Sequence, residues 1–391
     1  ESDRGDAGMI RIAYVSTYVP KRCGLATYTF HLRQAVNGAK AVKGIDRVVA
    51  VTERRDGGYL DPVLWSLEKD NIRDYAETAR KINDSDVDVV SLQHEFGIFG
   101  GEAGSHILEF VRHLRKPLIT TFHTVFEHPE PPYAPIQKEL AERSDKIIVM
   151  NRKAIGFLHR SFDVPTDKIR FIPHGSPEPA SGKREAYRRQ LGWENRNVLM
   201  TFGLLSRGKG IEFILDALPD VVKKVPYVLY AVVGQTHPEV KKREGEAYRE
   251  QLQEKIRRLG ISDHVTMIDK YMEEKDLIQL LMSCDVYITP YPGMQQITSG
   301  TLAYAVGLGR PVLTTPYCYA QDLLRGFEEL LIPYGERKAW TDKIVALLSD
   351  ERARAEWETK IAEVGKQLHW PQVGKKHLEL FEGVSRVAPV R

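Results

Sequence analysis

Gly203-Leu204-Leu205-Ser206-Arg207-Gly208-Lys209-Gly210 sets a guanidinium and an ammonium among three glycines, between an apolar run and a helical pattern. A cationic, glycine-rich turn from strand to helix offers a phosphate charge-assisted hydrogen bonds and the positive end of the helix dipole. It is not G-x-x-x-x-G-K-[ST], because residue 210 is glycine. Further on, Ser299-Gly300-Thr301 opens a helix of small residues. Ser299 is a good N-cap and Gly300 keeps the backbone amides open, which makes a second anion pocket. The bland alternatives are a solvated basic turn and an ordinary capped helix. Two such pockets in one domain fit a diphosphate better than either alone.

In the first half, Thr121-Phe122-His123-Thr124 ends an apolar run, and Gln93-His94-Glu95-Phe96-Gly97 ends another. His123, at the carboxyl end of a strand, could hydrogen-bond a sugar hydroxyl or a developing charge; a capping or core histidine is the alternative. Gly24 follows the first run in Pro20-Lys21-Arg22-Cys23-Gly24, where a glycine lets a ligand approach the backbone; a simple tight turn would look the same. This is not G-x-G-x-x-G, which argues against a nicotinamide or flavin site. The fragment from His123 to His128 fits neither H-E-x-x-H nor H-x-x-E-H. Asp84-Ser85-Asp86 has the D-x-D form of a metal–sugar motif but precedes a strand, so it reads as a polar turn. No metal is expected.

The elements that must carry these residues alternate throughout. Short apolar runs at 10–18, 47–52, 87–93, 117–123, 146–150 and 168–173 are separated by helical patterns, and six more follow at 197–205, 227–234, 265–269, 286–291, 311–315 and 330–333. This is the pattern of parallel, doubly wound α/β sheets. The Gly-, Pro- and Ser-rich stretch 175–183 reads as a linker, and 370–387 as a closing helix. Ligands of such sheets bind beyond the carboxyl ends of the strands. The chain is 42% apolar and 28% charged with net charge +3, so nothing global argues for nucleic acid. Three cysteines without a C-x-x-C pair suggest a reducing compartment, and no run is long enough to span a membrane. The expectation is a cytoplasmic protein with at most peripheral contact at the inner membrane face. The segment 151–162 is basic and amphipathic, read first as a surface helix. Residues 1–8 read as a disordered leader or cloning remnant.

The order of these motifs resembles the retaining glycosyltransferases of family four over nearly the whole chain from Met9. Gly24 falls on that family's N-terminal glycine loop, His123 on its active-site histidine, and Ile172-Pro173-His174-Gly175 on its interdomain I-P-N-G. Lys209 and Gly210 are in register with its G-R-L-x-x-x-K-G, and Gly309-Arg310-Pro311-Val312 with its G-x-P-V. The resemblance implies the α/β GT-B fold, two facing Rossmann-like domains with a C-terminal crossover helix. The implied domains are 9–178 for the acceptor, 179–366 for the nucleotide-sugar donor, and 367–391 as the returning helix. It also resembles a bacterial branch with S-G-T-L-A-Y-A and G-x-T-H-P segments.

Two departures stand out. Leu204 replaces the loop's arginine, with Arg207 as a substitute three residues on. The family's two donor-binding glutamates fall on Gln296 and Tyr304. Gln296 can still bond sugar hydroxyls, whereas Tyr304 lacks the carboxylate that would clamp a ribose.

The resemblance implies metal-independent transfer of a mannose- or glucose-type hexose from a GDP- or UDP-linked donor to a carbohydrate or lipid-linked acceptor. Lys209 and Arg207 would act on the leaving diphosphate, His123 on the sugar, and Gly24, Gly203, Gln296, Ser299, Gly300, Thr301 and Tyr304 in donor binding, with no cofactor. The acceptor surface is expected in residues 53–70 and 124–136. The rivals are a GT-B phosphorylase using inorganic phosphate and an inactive nucleotide- or sugar-binding module.

Overall fold

The computed structural model describes residues 9–44, 46–53 and 63–387. The leader 1–8 and residues 54–62 of the expected acceptor loop lie outside them. The chain forms two compact units. The first runs through Gly175 and is rejoined from Trp370; the second is Ser176–His369. The division thus falls a few residues from the expected 178/179 and 366/367.

The first unit is built on seven parallel strands: β1 (Ile12–Ser16), β2 (Arg47–Thr52), β3 (Val63–Glu68), β4 (Val89–His94), β5 (Leu118–Phe122), β6 (Lys146–Val149) and β7 (Ile169–Phe171). Their order is β3-β2-β1-β4-β5-β6-β7. β1 and β4, neighbours in the sheet, run on to opposite sides of it, so the crevice beyond their carboxyl ends is the place for a ligand. β3 was not anticipated. As an edge strand following Pro62, its run VLWSLE carries too few consecutive apolar residues to stand out.

The C-terminal helix Trp370–Val387 lies on the helix Gly24–Ala39. The approach is close: a Cβ on Gly374 would sit 2.5 Å from the backbone of Ala35. Further along, Phe381 meets Tyr14 of β1 edge-on at 6.4 Å. At the helix start, Trp370 packs on Tyr28 and on Gly175.

The second unit has five parallel strands: β8 (Asn197–Phe202), β9 (Val228–Val233), β10 (Val265–Ile268), β11 (Val286–Thr289) and β12 (Val312–Thr314), in the order β10-β9-β8-β11-β12. Its switch point lies between β8 and β11. The expected strand at 330–333 is reduced to a single bridge between Leu331 and Thr314 after a 3-10 turn. Pro333, lacking an N–H, cannot extend that ladder. The charge-dense segment 240–260 resolves into two helices, Pro238–Glu244 and Ala247–Arg258.

Candidate active site

In the first unit the site begins with strand register. β4 pairs with β5 so that Gln93 lies beside Thr121 and His94 beside Phe122. The next residue, His123, donates its backbone N–H to the carbonyl of His94 at 3.0 Å. The Gln93 amide donates to Ser91 (3.1 Å) and Thr121 (3.4 Å), which leaves its Oε1 facing Nε2 of His123 at 2.8 Å. An amide oxygen only accepts, so in this network Nε2 carries the proton and Nδ1 the lone pair. Burial, reinforced by His174, His94 and His377, lowers the His123 pKa to about 3. The ring is neutral at pH 7. It can orient or accept a hydroxyl; it is not a cation for a developing charge. Tyr28 packs on it edge-on at 4.9 Å.

Beside this pair, Glu95 receives the Thr124 hydroxyl on both carboxylate oxygens at 2.9 Å and the Phe96 N–H at 3.2 Å. Burial raises its pKa, against the lowering from these bonds. Gly24 opens the helix after β1. Cys23, not Gly24, is its cap, with Sγ accepting from the Ala26 N–H at 3.4 Å. A Cβ on Gly24 would meet nothing within 4 Å, so open space rather than crowding surrounds it.

In the second unit the chain leaves β8 through Gly203 and is tied down by Leu205 N–H to Gln235 and His237 N–H to Leu205, before a 3-10 turn Arg207–Lys209. Gly210, at φ +67°, then starts the helix Ile211–Lys224 and packs so tightly on the Pro290 carbonyl that a Cβ would lie 2.0 Å from it. Lys209 is half-buried and turns back over Gly203: a methyl placed on that glycine would be 3.1 Å from Nζ and 3.8 Å from Cγ2 of Thr301. Nζ sits 4.8 Å from the ring centre of Tyr291, whose hydroxyl pairs with Thr301 Oγ1 at 3.2 Å. Ser299 Oγ accepts the Leu302 N–H at 3.3 Å and caps the helix Gly300–Gly307. This leaves the Gly300 and Thr301 amides without an intrahelical acceptor. Among the described residues no carboxylate pairs with Lys209, and burial lowers its pKa to about 8. An incompletely solvated ammonium lacking a counter-ion, beside an open helix N-terminus, is built to receive an anion.

Lys209, Gly203, Ser299, Gly300 and Thr301 are thus brought together. Arg207 is not. Its guanidinium bonds Glu244 at 2.5 Å and Gln251 at 3.2 Å and covers the ring of Tyr248 at 4.7 Å. Two positions apart on a tight turn, Arg207 and Lys209 face different ways, and Arg207 does not stand with the other residues expected around the diphosphate. Gln296 is exposed on the loop before the helix and donates to its own Thr298 carbonyl at 2.9 Å. Tyr304 is half-buried one turn into the helix, against the core. Tyr291 escaped sequence reading: an aromatic just past a buried strand looks like core, and only its place after β11, beside β8, marks it.

Residues 183–364 match the family Glycosyl transferases group 1, and residues 47–176 match Glycosyltransferase Family 4. The chain is a glycosyltransferase, with a family-four domain followed by a group 1 domain. Over 317 residues the enzyme is 26% identical to the phosphatidyl-myo-inositol mannosyltransferase of Mycobacterium leprae, covering 80% of this chain and 77% of that one. It is also 26% identical over 196 residues to the lipopolysaccharide glucosyltransferase WaaG of Escherichia coli, a match spanning only 48% of each chain. Among solved structures, Anabaena Alr3699/HepE in complex with UDP superposes with a TM-score of 0.76 at 17% identity, covering 96% of the enzyme and all of that chain. That likeness confirms the GT-B architecture of two Rossmann-like units. No helix among the described residues is long and apolar enough to cross a membrane.

Proposed function

We propose that the enzyme is a retaining, metal-independent hexosyltransferase. It moves a glucose- or mannose-type sugar from a UDP- or GDP-linked donor to a hydroxyl of a carbohydrate or lipid acceptor. The observation that carries this reading is Lys209, a partly desolvated ammonium with no carboxylate partner among the described residues, set against the open amides of Gly300 and Thr301. These groups take the leaving diphosphate, where charge builds as the glycosidic bond breaks. The names of the relatives, a glucosyltransferase and a mannosyltransferase, support the hexose class, and Alr3699/HepE was also solved with UDP-glucose. Retention rests on the family resemblance: the acceptor hydroxyl attacks from the diphosphate's face and a phosphate oxygen takes its proton. Neutral His123 accepts a donor-sugar hydroxyl at Nδ1. Metal independence is supported by the cation already in place; activity that survives a chelator is expected, and a strict manganese requirement overturns it.

Binding an anion favours charged Lys209. Diphosphate affinity therefore falls as pH rises through about 8, and binding near that pH takes up a proton. Titration calorimetry with UDP and GDP at pH 7, 8 and 9, in buffers of different ionisation enthalpy, reads both effects. A flat profile removes Lys209 from the diphosphate site.

Tyr304, where a ribose-binding carboxylate is expected, gives the phosphorylase reading its one support, and saturable binding of UDP or GDP in this titration would decide against it. The same titration sharpens the donor grip. Gln296→Ala is expected to weaken the nucleotide sugar more than the nucleotide, and Tyr304→Glu to strengthen both. If neither variant moves either affinity, the alignment of this loop is wrong.

A further inference from the structure

Just past His123, inside the first unit, three aromatic rings gather. Phe96 is buried and stacks on Phe126 with centres 6.0 Å apart and planes 18° apart. Tyr133 closes the group at 4.9 Å from Phe96 and 5.5 Å from Phe126. Tyr133 is 39% exposed and Phe126 half-buried, so the cluster presents ring surface outward although its base is core. The group is joined to the His123 site by short links. Glu95 precedes Phe96 and holds the Thr124 hydroxyl. Gln137, one turn after Tyr133 on the same helical face, donates to the Thr124 carbonyl at 2.8 Å. The other end of that amide, Gln137 Oε1, is buried with no hydrogen-bond partner among the described residues. Glu95 has no Lys or Arg partner among the described residues, and no Lys or Arg occurs at 124–136.

We infer that the Phe126–Tyr133 surface, together with Glu95, is the acceptor subsite, and that it takes a neutral carbohydrate rather than a phosphorylated or anionic-lipid acceptor. This rests on the glycosyl-transfer reading and names the acceptor class it leaves open. The C–H face of a pyranose is complementary to the electron-rich face of an aromatic ring. Glu95, with two acceptors each on two oxygens, keeps lone pairs beyond those used by Thr124 and Phe96 for sugar hydroxyls. A phosphate placed against Glu95 would meet a carboxylate that is paired with no cation among the described residues, a repulsion that a neutral glycoside avoids.

The test uses the full chain, with maltotriose and cellotriose as neutral probes, inositol 1-phosphate as the anionic probe, and UDP as a separate titrant, followed by saturation-transfer NMR and calorimetry. A neutral trisaccharide is expected to bind saturably. Tyr133→Ala should weaken it by about three- to tenfold, while Tyr133→Phe, which keeps the ring, holds parental affinity. Tighter binding of inositol 1-phosphate, no saturable binding of either trisaccharide, or equal affinity in Tyr133→Ala overturns the inference. Failure here is distinct from failure of the donor reading. A chain that binds UDP but neither trisaccharide keeps the transferase and loses this subsite; one that binds a trisaccharide through Tyr133 but neither UDP nor GDP does the reverse.

Discussion

Lys209→Ala lowers kcat by about a hundred- to a thousandfold, the scale seen when a donor aimed at developing charge is removed, without destabilising the nucleotide-free protein. The two halves of this result come from one cause. Burial lowers the Lys209 pKa to about 8, so the charged form is disfavoured in the folded chain until an anion arrives. Between that pH and the ordinary lysine range the folded protein has released a proton that the unfolded chain still holds. Stability therefore rises with pH across this window and gains nothing below it. Alanine removes the strain along with the function, and thermal denaturation of the variant without nucleotide should match or exceed the parent near pH 7. Lys209→Arg is not a rescue. The lysine fits over Gly203 with Nζ 3.1 Å from where a methyl would be, and a planar fork is larger and differently shaped. A large drop in melting temperature for Lys209→Ala, or near-normal turnover, would sink the assignment.

Gly234→Ala has the second largest expected effect. Gly234 follows β9 at φ +137°, in a region that only glycine occupies with ease. Its added Cβ would lie 1.9 Å from the carbonyl oxygen of Gly203. Gly203 is itself at φ +146° and is the floor under Lys209. The clash is backbone against backbone, so no side chain can rotate away, and the β8 and β9 ends must part. Backbone strain of about 1–3 kcal/mol is expected before the clash is counted, together with loss of diphosphate binding as Gly203 shifts. Chemical denaturation and UDP titration measure the two separately. Parental stability and affinity together would show that the close approach of the two glycines is not required.

The β-α alternation was open to reading because strands buried on both faces are written as unbroken apolar runs, as in IAYVS of β1 and VLYAVV of β9. β3 carries no such run, and its part in the sheet depends on pairing with β2. The anion pocket was legible for a different reason: glycines and a serine cap have few uses besides shaping backbone, so Gly203, Gly210 and Ser299 announce their geometry. Side-chain direction was not legible. Arg207 and Lys209 look equivalent in a string, yet one pairs with Glu244 and the other faces Tyr291. The bond from His123 to Gln93 spans thirty positions and exists only because β4 and β5 are neighbours in register.

The helix Trp370–Val387 belongs to the first unit although the whole of the second lies between it and the rest of that unit. During vectorial synthesis, Ser176–His369 emerges complete and can fold as soon as it clears the ribosome. The earlier residues must wait, holding the faces around Tyr14, Tyr28 and Ala35 uncovered until Phe381, Trp370 and Gly374 arrive. The first unit is thus completed only by the last helix to be made, and until then it exposes apolar surface of the kind that favours aggregation.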